Sequence, residues 1–556
     1  MQRNTILFIV LSMVILLGYP KLLKMFGIDM YSQPTATRPA PETAADKAPE
    51  TTTPAAGHTT PATISPAATH AAPTPAAPGL KARTIEVETD LYHATLTTQG
   101  GVITGWQLKQ YFDDDHTTPV ELFTPPTVGA IYPLTVSIEG QTGADVGVWT
   151  ADREAVRLTG AAADTLTLTW ADPVSGAAFT KRLTFHADSY AVDLAVEPHN
   201  IPADYSVSLG SNFGIRKWNI GNIGFVGVAN LVDGDVHREK AKDMESTPQV
   251  RKGKTEWTVS EDKYFIAALL PGNEPRAVVS RALAKEHVTT GVVMAADQPS
   301  THTLYVGPKD YGQLRSFKLN LQENIDFGWF MFGSLALVRV LAEPIFLALK
   351  WINGMVGNWG ISIVLLTLLI KTLFVPLTHK SYKSMRAMAA IAPLVKKLQE
   401  KYKDNRKRLG EETMALYREH NINPLGGCLP IFIQIPFFIA FFNILYTTIE
   451  LRHAPFMLWI ADLSAKDPYY VLPVVMGISM FVQQKIQPST LDPAQARILQ
   501  FLPILFTFFF MAFPAGLVLY WLFNNLFTIT QQVVTRRYLE KTPEAAVASG
   551  GQKKKR

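Results

Sequence analysis

Lys371 stands inside the apolar run ISIVLLTLLIKTLFVPL (361–377). An ammonium group in hydrocarbon costs from about 2.5 kcal/mol to several times that, so it requires water or a polar partner. The side chains that could supply one are Thr367 one turn away, Gln434 and Asn443 in the next apolar run, and Tyr520, Trp521, Asn524 and Asn525 in the last. Polar groups converging from several helices would form a hydrated cavity for a charged or polar guest. Two plainer explanations stay open. His379 is eight residues on, roughly 12 Å along a helix, so Lys371 could stretch most of the way to the headgroups. Each remaining side chain could equally be glue between helices. Such a cavity suits a transporter or an insertase that receives the polar end of another protein's membrane segment. A transporter should show internal repeats or paired broken helices, and none is visible.

Covalent chemistry has no comparable foothold. The chain carries no phosphate-binding Gly-Lys loop, no HExxH and no GxSxG elbow. His93, Asp113 to Asp115, His116, His186 and His237 are scattered and read as solvated loop residues rather than a sugar-processing site. The single cysteine, Cys428, can form neither an intramolecular disulfide nor a multi-thiolate site. The expectation is a protein that is not an enzyme and has neither a metal site nor a cofactor.

The elements that must position Lys371 follow from segregation along the chain. Of 556 residues 47% are hydrophobic and 18% charged. The long apolar runs crowd into the last 230 or so, which argues for a membrane protein carrying a water-soluble domain. An N-terminal run (TILFIVLSMVILL, extended to Ile28) lacks a small-residue cleavage site and reads as an uncleaved membrane helix over 1–28. Residues 29–80 form a Pro/Ala/Thr tether, with ten prolines between Gln33 and Gly79. From 81 to 322 the period is two, as in Tyr190, Val192, Leu194 and Val196, and the turn signal Gly100–Gly101 is one of many, which predicts a large all-β sandwich. Residues 323–352 carry Arg339 and Glu343 amid apolar residues, and read as an interfacial amphipathic helix. The region 353–540 holds five apolar runs. Its loop 379–428 has eleven Lys and Arg against five acids, so the positive-inside rule makes it cytosolic, puts the β-domain outside and both termini inside. That loop has a helical period and reads as an antiparallel hairpin, in which Met385 and Met388 either offer an adaptable surface to apolar clients or join the two arms. Lys396 and Lys397 on the hairpin, and Lys553, Lys554, Lys555 and Arg556 in the tail 541–556, are the basic residues expected to reach ribosomal phosphates. The fold class expected is a multi-domain membrane protein: a six-span α-helical bundle, a large all-β sandwich and a cytosolic helical hairpin.

Four segments carry a resemblance. VGNWGISI (356–363), NPLGGCLPIFIQIPFF (423–438), LSAKDPYYVLP (463–473) and FPAGLVLYWLFNN (513–525) closely resemble the YidC/Oxa/Alb family of membrane insertases. DKYFIAALLP (262–271) and LYVGPK (304–309) resemble the large periplasmic domain of its Gram-negative members. The resemblance implies the bacterial inner membrane, a β-supersandwich shaped like sugar mutarotases with no enzymatic role, and clients that insert alone or with the Sec translocon. It also implies partners: nascent membrane proteins, the ribosome, membrane lipids, and small clients such as the ATP synthase ring subunit. Lys371 falls where bacterial relatives carry a groove arginine; Gln434 and Trp521 match groove positions and Thr367 faces the groove, with Tyr520 and Asn524 beside them. Lysine for arginine is a departure, because lysine lacks the bidentate fork. The competing class is an envelope binding protein or Sec accessory whose β-domain is the working part.

Overall fold

The computed structural model describes residues 81–541, apart from 125–130, 217–224, 285–286, 331–332, 488–499 and positions 246, 297, 335, 404, 421 and 424. The expected N-terminal helix (1–28), the tether (29–80) and the tail residues Lys553, Lys554, Lys555 and Arg556 lie outside the described residues. The chain divides into two compact units between Ile325 and Asp326.

The first unit is all-β. Its largest sheet has nine strands, in the order Asp235–Glu239, Gly227–Val232, Thr255–Glu261, Phe265–Pro271, Ser300–Pro308, Ala191–His199, Ala178–His186, Ala163–Ala171 and Thr150–Ala151, and two five-stranded sheets accompany it. Strict alternation puts Val192, Leu194 and Val196 inside. In Phe265–Pro271 the run Phe265–Leu270 is buried throughout, because both faces of that strand are covered.

The same alternation carries a lysine inward. Phe179, Lys181, Leu183 and Phe185 share the buried face of one strand. The Lys181 Nζ donates to the carbonyls of Gly101 (2.9 Å), Leu134 (2.9 Å) and Gly100 (3.3 Å), and lies 4.1 Å from the centre of the Trp149 ring. Gly101 is required there: its φ is +59° and a Cβ would sit 2.9 Å from the Trp149 ring. Burial pushes the Lys181 ammonium down to about 7.

Charged residues of the two β-domain motifs are structural. The Asp262 carboxylate closes a turn by accepting from the amides of Arg216, Tyr264 and Phe265 (2.7, 2.7 and 2.8 Å). Lys309 pairs with the buried Glu261 at 2.6 Å and donates to the Asn324 carbonyl at 3.1 Å. With Trp257 Nε1 to the Leu319 carbonyl (2.9 Å) and Arg238 to that of Glu323 (2.7 Å), this ties the segment leaving the sheet at three points. That segment includes the short helix α1 (Tyr311–Ser316), capped by Asp310.

The second unit is helical: α2 (Ala336–Val356), α3 (Trp359–Leu373), α4 (Val375–Lys401), α5 (Arg406–Glu419), α6 (Leu425–Thr447), α7 (Val471–Ile486), α8 (Leu502–Phe510) and α9 (Ala515–Lys541). The helix expected over 323–352 starts only at Ala336, after a short pairing of Trp329–Phe330 with Gly333–Ser334. Helix α9 packs against α3 and α7, and α2 against α3 and α6. Helices α4 and α5 pack as a pair, with the Asn405 amide donating to the Tyr402 carbonyl between them (3.1 Å), and α4 runs through Pro393.

Among the described residues no single helix is long and apolar enough to cross a membrane, and one bent pair, α3 with α4 at 62°, meets the test by length and composition. The expected spans after α3 coincide in place with α6 to α9, but differ in character. Helices α7 and α8 have 16 and 9 residues, fewer than the roughly 20 a span needs. Helix α9 is long but carries Asn524, Asn525, Thr528, Thr530, Gln531 and Gln532 through its middle. Its apolar stretch is broken by polar groups.

The depressed Lys181 value makes a pH prediction. Between about 7 and 10.5 the unfolded chain holds a proton that the folded chain has released, so stability rises with pH across that window. In full-length protein the β-domain of the wild type should gain on the order of 2 kcal/mol over Lys181→Gln between pH 7 and pH 9. Pulse proteolysis in urea reads this; a constant difference would show that the buried ammonium keeps its charge.

Candidate functional site

A cavity in the helical unit is lined by Thr367, Ile370, Lys371 and Phe374 near the end of α3, Leu377 and Thr378 of α4, Gln434, Phe437 and Phe441 of α6, and Tyr520 and Asn524 of α9. The α3 and α4 residues meet there because the chain bends at Phe374, with Pro376 in the first turn of α4. The space measures about 30 Å³. That admits a water molecule and not a helix.

Polar contacts cross this cavity from three sides. Lys371 Nζ donates to Thr528 Oγ1 at 2.9 Å. Gln434 Nε2 donates to Asn524 Oδ1 at 3.0 Å. Gln531 donates to the Thr378 hydroxyl just beyond the cavity lining. Lysine has three N–H donors, and the hydroxyl takes one of them, leaving two for water or a guest. Thr367 lines the space with its own hydroxyl donated back to the Ile363 carbonyl at 2.6 Å. Tyr520 is buried and stacked on Phe441, with centroids 4.5 Å apart.

Of the expected groove residues, Lys371, Thr367, Gln434, Tyr520 and Asn524 come together here. Trp521 lies elsewhere, since one residue turns a helix by 100°: its ring packs against Phe438 (4.8 Å) and Phe510 (4.9 Å). Asn525 donates to Ser479 on α7 (3.0 Å), and Asn443 to the Phe327 carbonyl (2.7 Å), so both join elements within the unit. On α4, Met385 and Met388 are half-buried and Lys396 and Lys397 exposed; Met385 Sδ accepts from Gln487 at 3.8 Å. Sequence reasoning missed Thr528, Gln531 and Thr378. The signal was present: Tyr520, Asn524, Thr528 and Gln531, spaced 4, 4 and 3, share one helix face.

The opposite end of α3 is tied shut. The Asn358 side chain caps α3 by accepting from the Ile361 amide (3.0 Å) and donates to the Phe456 carbonyl (2.8 Å). A Cβ on Gly360 would lie 2.1 Å from the Phe456 ring. The Ala515 and Gly516 amides, at the start of α9, donate to the carbonyls of Ala465 (2.7 Å) and Leu463 (2.9 Å). Asp467 accepts from Trp459 Nε1 (3.0 Å), the Tyr469 amide (3.0 Å) and the Leu472 amide (2.7 Å). Lys371 is thirteen residues beyond Asn358, and Thr528 thirteen beyond Ala515. Helices α3 and α9 therefore run side by side for roughly 20 Å from the tied end to the cavity.

Comparison with known proteins shows the family. Residues 351–542 match the family model described as 60Kd inner membrane protein, and residues 84–348 match that described as YidC periplasmic domain. A membrane protein insertase YidC of Syntrophus aciditrophicus (strain SB) is 40% identical over 474 residues, which cover 81% of this chain and 84% of the relative. That of Nitratidesulfovibrio vulgaris (strain DP4) is 36% identical over 564 residues, covering 96% and 98%. The chain belongs to the YidC family of membrane protein insertases. A solved structure described as an active YidC insertase with its first transmembrane domain resolved aligns over 80% of this chain and 90% of its own, at 16% identity and a TM-score of 0.35.

In this YidC-family chain, three of the four helical-unit motifs build the tied end: VGNWGISI supplies Asn358 and Gly360, LSAKDPYYVLP supplies Asp467 and two carbonyls, and FPAGLVLYWLFNN supplies the amides. Gly360→Ala should destabilise the helical unit by about 1–3 kcal/mol, since the ring must move to admit the methyl. Thermal unfolding in detergent checks this. Adding Phe456→Ala should recover part of the loss, and no recovery would place the strain elsewhere.

Proposed function

We propose that the chain is an inner-membrane insertase that receives the polar, translocated end of a client's membrane segment beside Lys371 and releases the apolar helix sideways into lipid. The observation that carries this reading is an ammonium group on α3 held by a hydroxyl at a largely apolar cavity between four helices, with no carboxylate partner among the described residues. An unneutralised cation in such a setting attracts acidic or polar client segments and lowers the cost of moving them through hydrocarbon. No covalent step is involved. Because the space holds little more than water, a client must part the helices that enclose it.

The topology that serves this function has six spans, with the N-terminal helix 1–28 uncleaved and both termini in the cytosol. Loop 379–428 is then cytosolic, the β-domain periplasmic, and residues 323–352 lie at the interface. Its support is the Lys and Arg excess of that loop and the bent α3–α4 pair leading from Lys371 into it. The hairpin, through Met385, Met388, Lys396 and Lys397, first meets the client. Trp521 lines the aromatic wall beside the groove. The tail Lys553, Lys554, Lys555 and Arg556 meets the ribosome, and the Sec translocon and small clients such as the ATP synthase ring subunit complete the partners.

Reconstitution tests the reading. With purified protein in liposomes and a one- or two-span client bearing an acidic translocated end, protease protection should be kept by Lys371→Arg and fall several-fold in Lys371→Ala. Equal protection by all three proteins would remove Lys371 from the mechanism. Ribosome co-sedimentation should weaken about tenfold or more between about 50 and 200 mM salt if phosphate contacts carry it. A salt-independent signal would exclude the tail and hairpin as the contact.

A further inference from the structure

The polar stripe on α9 does more than line a wall. Asn524, Thr528 and Gln531 each bond a different helix: Asn524 accepts from Gln434 on α6, Thr528 accepts from Lys371 on α3, and Gln531 donates to Thr378 on α4. One face of one helix thus closes the cavity against its three neighbours.

The hydroxyls are oriented for this task. Thr528 Oγ1 donates its own proton to the Asn524 carbonyl at 2.7 Å, and Thr378 Oγ1 donates to the Phe374 carbonyl at 2.9 Å. With its proton committed to the backbone, each hydroxyl offers only lone pairs outward. Lys371 and Gln531 are the donors that meet them. A hydroxyl fixed in this way is a directional acceptor for an ammonium group, and it lies on α9, the helix beside α3. Lys371 is therefore held sideways, away from the stretch toward the headgroups that its long stem would otherwise permit.

We propose that Thr528 is the positioning residue of the groove cation, and that Asn524, Thr528 and Gln531 form a hydrogen-bonded seam which a client's polar segment opens by taking over those bonds. This rests on the reading of Lys371 as the cation that meets the client. The occupant class follows from the chemistry: carboxylate or amide groups can replace Thr528 as acceptors for Lys371, and amide groups can satisfy Gln434 and Gln531, whereas a purely apolar segment leaves all three unpaired. The seam then favours clients whose translocated ends carry oxygen acceptors.

Thr528→Val removes the oxygen and keeps the shape, and Thr528→Ser restores the oxygen. The first arm uses full-length protein in proteoliposomes, a membrane-impermeant amine-acylating ester and peptide mass spectrometry, with exposed Lys396 and Lys397 as internal references. Thr528→Val should raise Lys371 acylation several-fold against those references, and Thr528→Ser should match the wild type. Unchanged acylation in the valine variant would overturn the positioning role. The second arm is a cycle on client insertion. Thr528→Val should lower protection of an acidic-ended client several-fold alone and add nothing to Lys371→Ala. An equal loss in the Lys371→Ala background, or no rescue by serine, would assign Thr528 a role independent of the lysine and overturn the proposal. If Lys371→Ala itself leaves insertion intact, the insertion reading of Lys371 fails, while the acylation arm still decides whether Thr528 holds it.

Discussion

An ammonium group enclosed by apolar helices must be given oxygen, and much of the helical unit is arranged around that requirement. The chain breaks at Phe374, so that α4 bends away just after Lys371 and leaves room on one side. Helix α9 supplies the oxygen, and in doing so accepts a polar stripe through what would otherwise be its apolar middle. Helix α6 adds Gln434, which donates to the Asn524 side-chain oxygen, while the Asn524 main-chain carbonyl accepts from the Thr528 hydroxyl. Helix α9 is thus hydrogen-bonded to α3 through the charge and to α6 and α4 through neutral groups.

The tied end and the charged end divide the labour. At the first, Gly360 lets Phe456 approach the α3 backbone, and Asp467 gathers three donors from a loop that would otherwise splay. These contacts are tight, and side chains are buried or capped. At the second, roughly 20 Å along, contacts are single side-chain hydrogen bonds, worth about 0.5–1.5 kcal/mol net between neutral groups and about 1.5–3 for the Lys371 ammonium. A bundle built this way parts more readily at the Lys371 end than at the Asn358 end. That asymmetry suits a groove opened from one side.

Much of this was legible in the residues, for identifiable reasons. The β-domain declared itself through period two, as at Val192, Leu194 and Val196, because a half-buried sheet obliges alternation. The same rule exposes Lys181, which sits in register with Phe179, Leu183 and Phe185; a lysine on an apolar stripe is easily passed over as a surface residue. Lys371 stood out because charge in an apolar run is costly. Trp521 was expected in the groove because it matches a groove position of the family, but it points 100° away from its helix neighbour Tyr520, which does line the cavity. Thr528 was missed because the conspicuous polar pair, Asn524 and Asn525, ended the search one turn early. Which Asn faced the cavity could not be read from the pair alone; the period through Tyr520, Thr528 and Gln531 selects Asn524.

The same stripe lowers the mean hydropathy of α9. A span facing lipid on all sides needs an unbroken apolar surface, whereas one that walls a polar groove needs it only on the outward side. In α9 the outward positions Leu526 and Val534 are exposed and apolar, while Asn524, Thr528 and Gln531 turn inward. Averaging over all faces mixes the two and lowers the mean. With lysine in place of arginine, the one fixed hydroxyl leaves two further donors to satisfy rather than four.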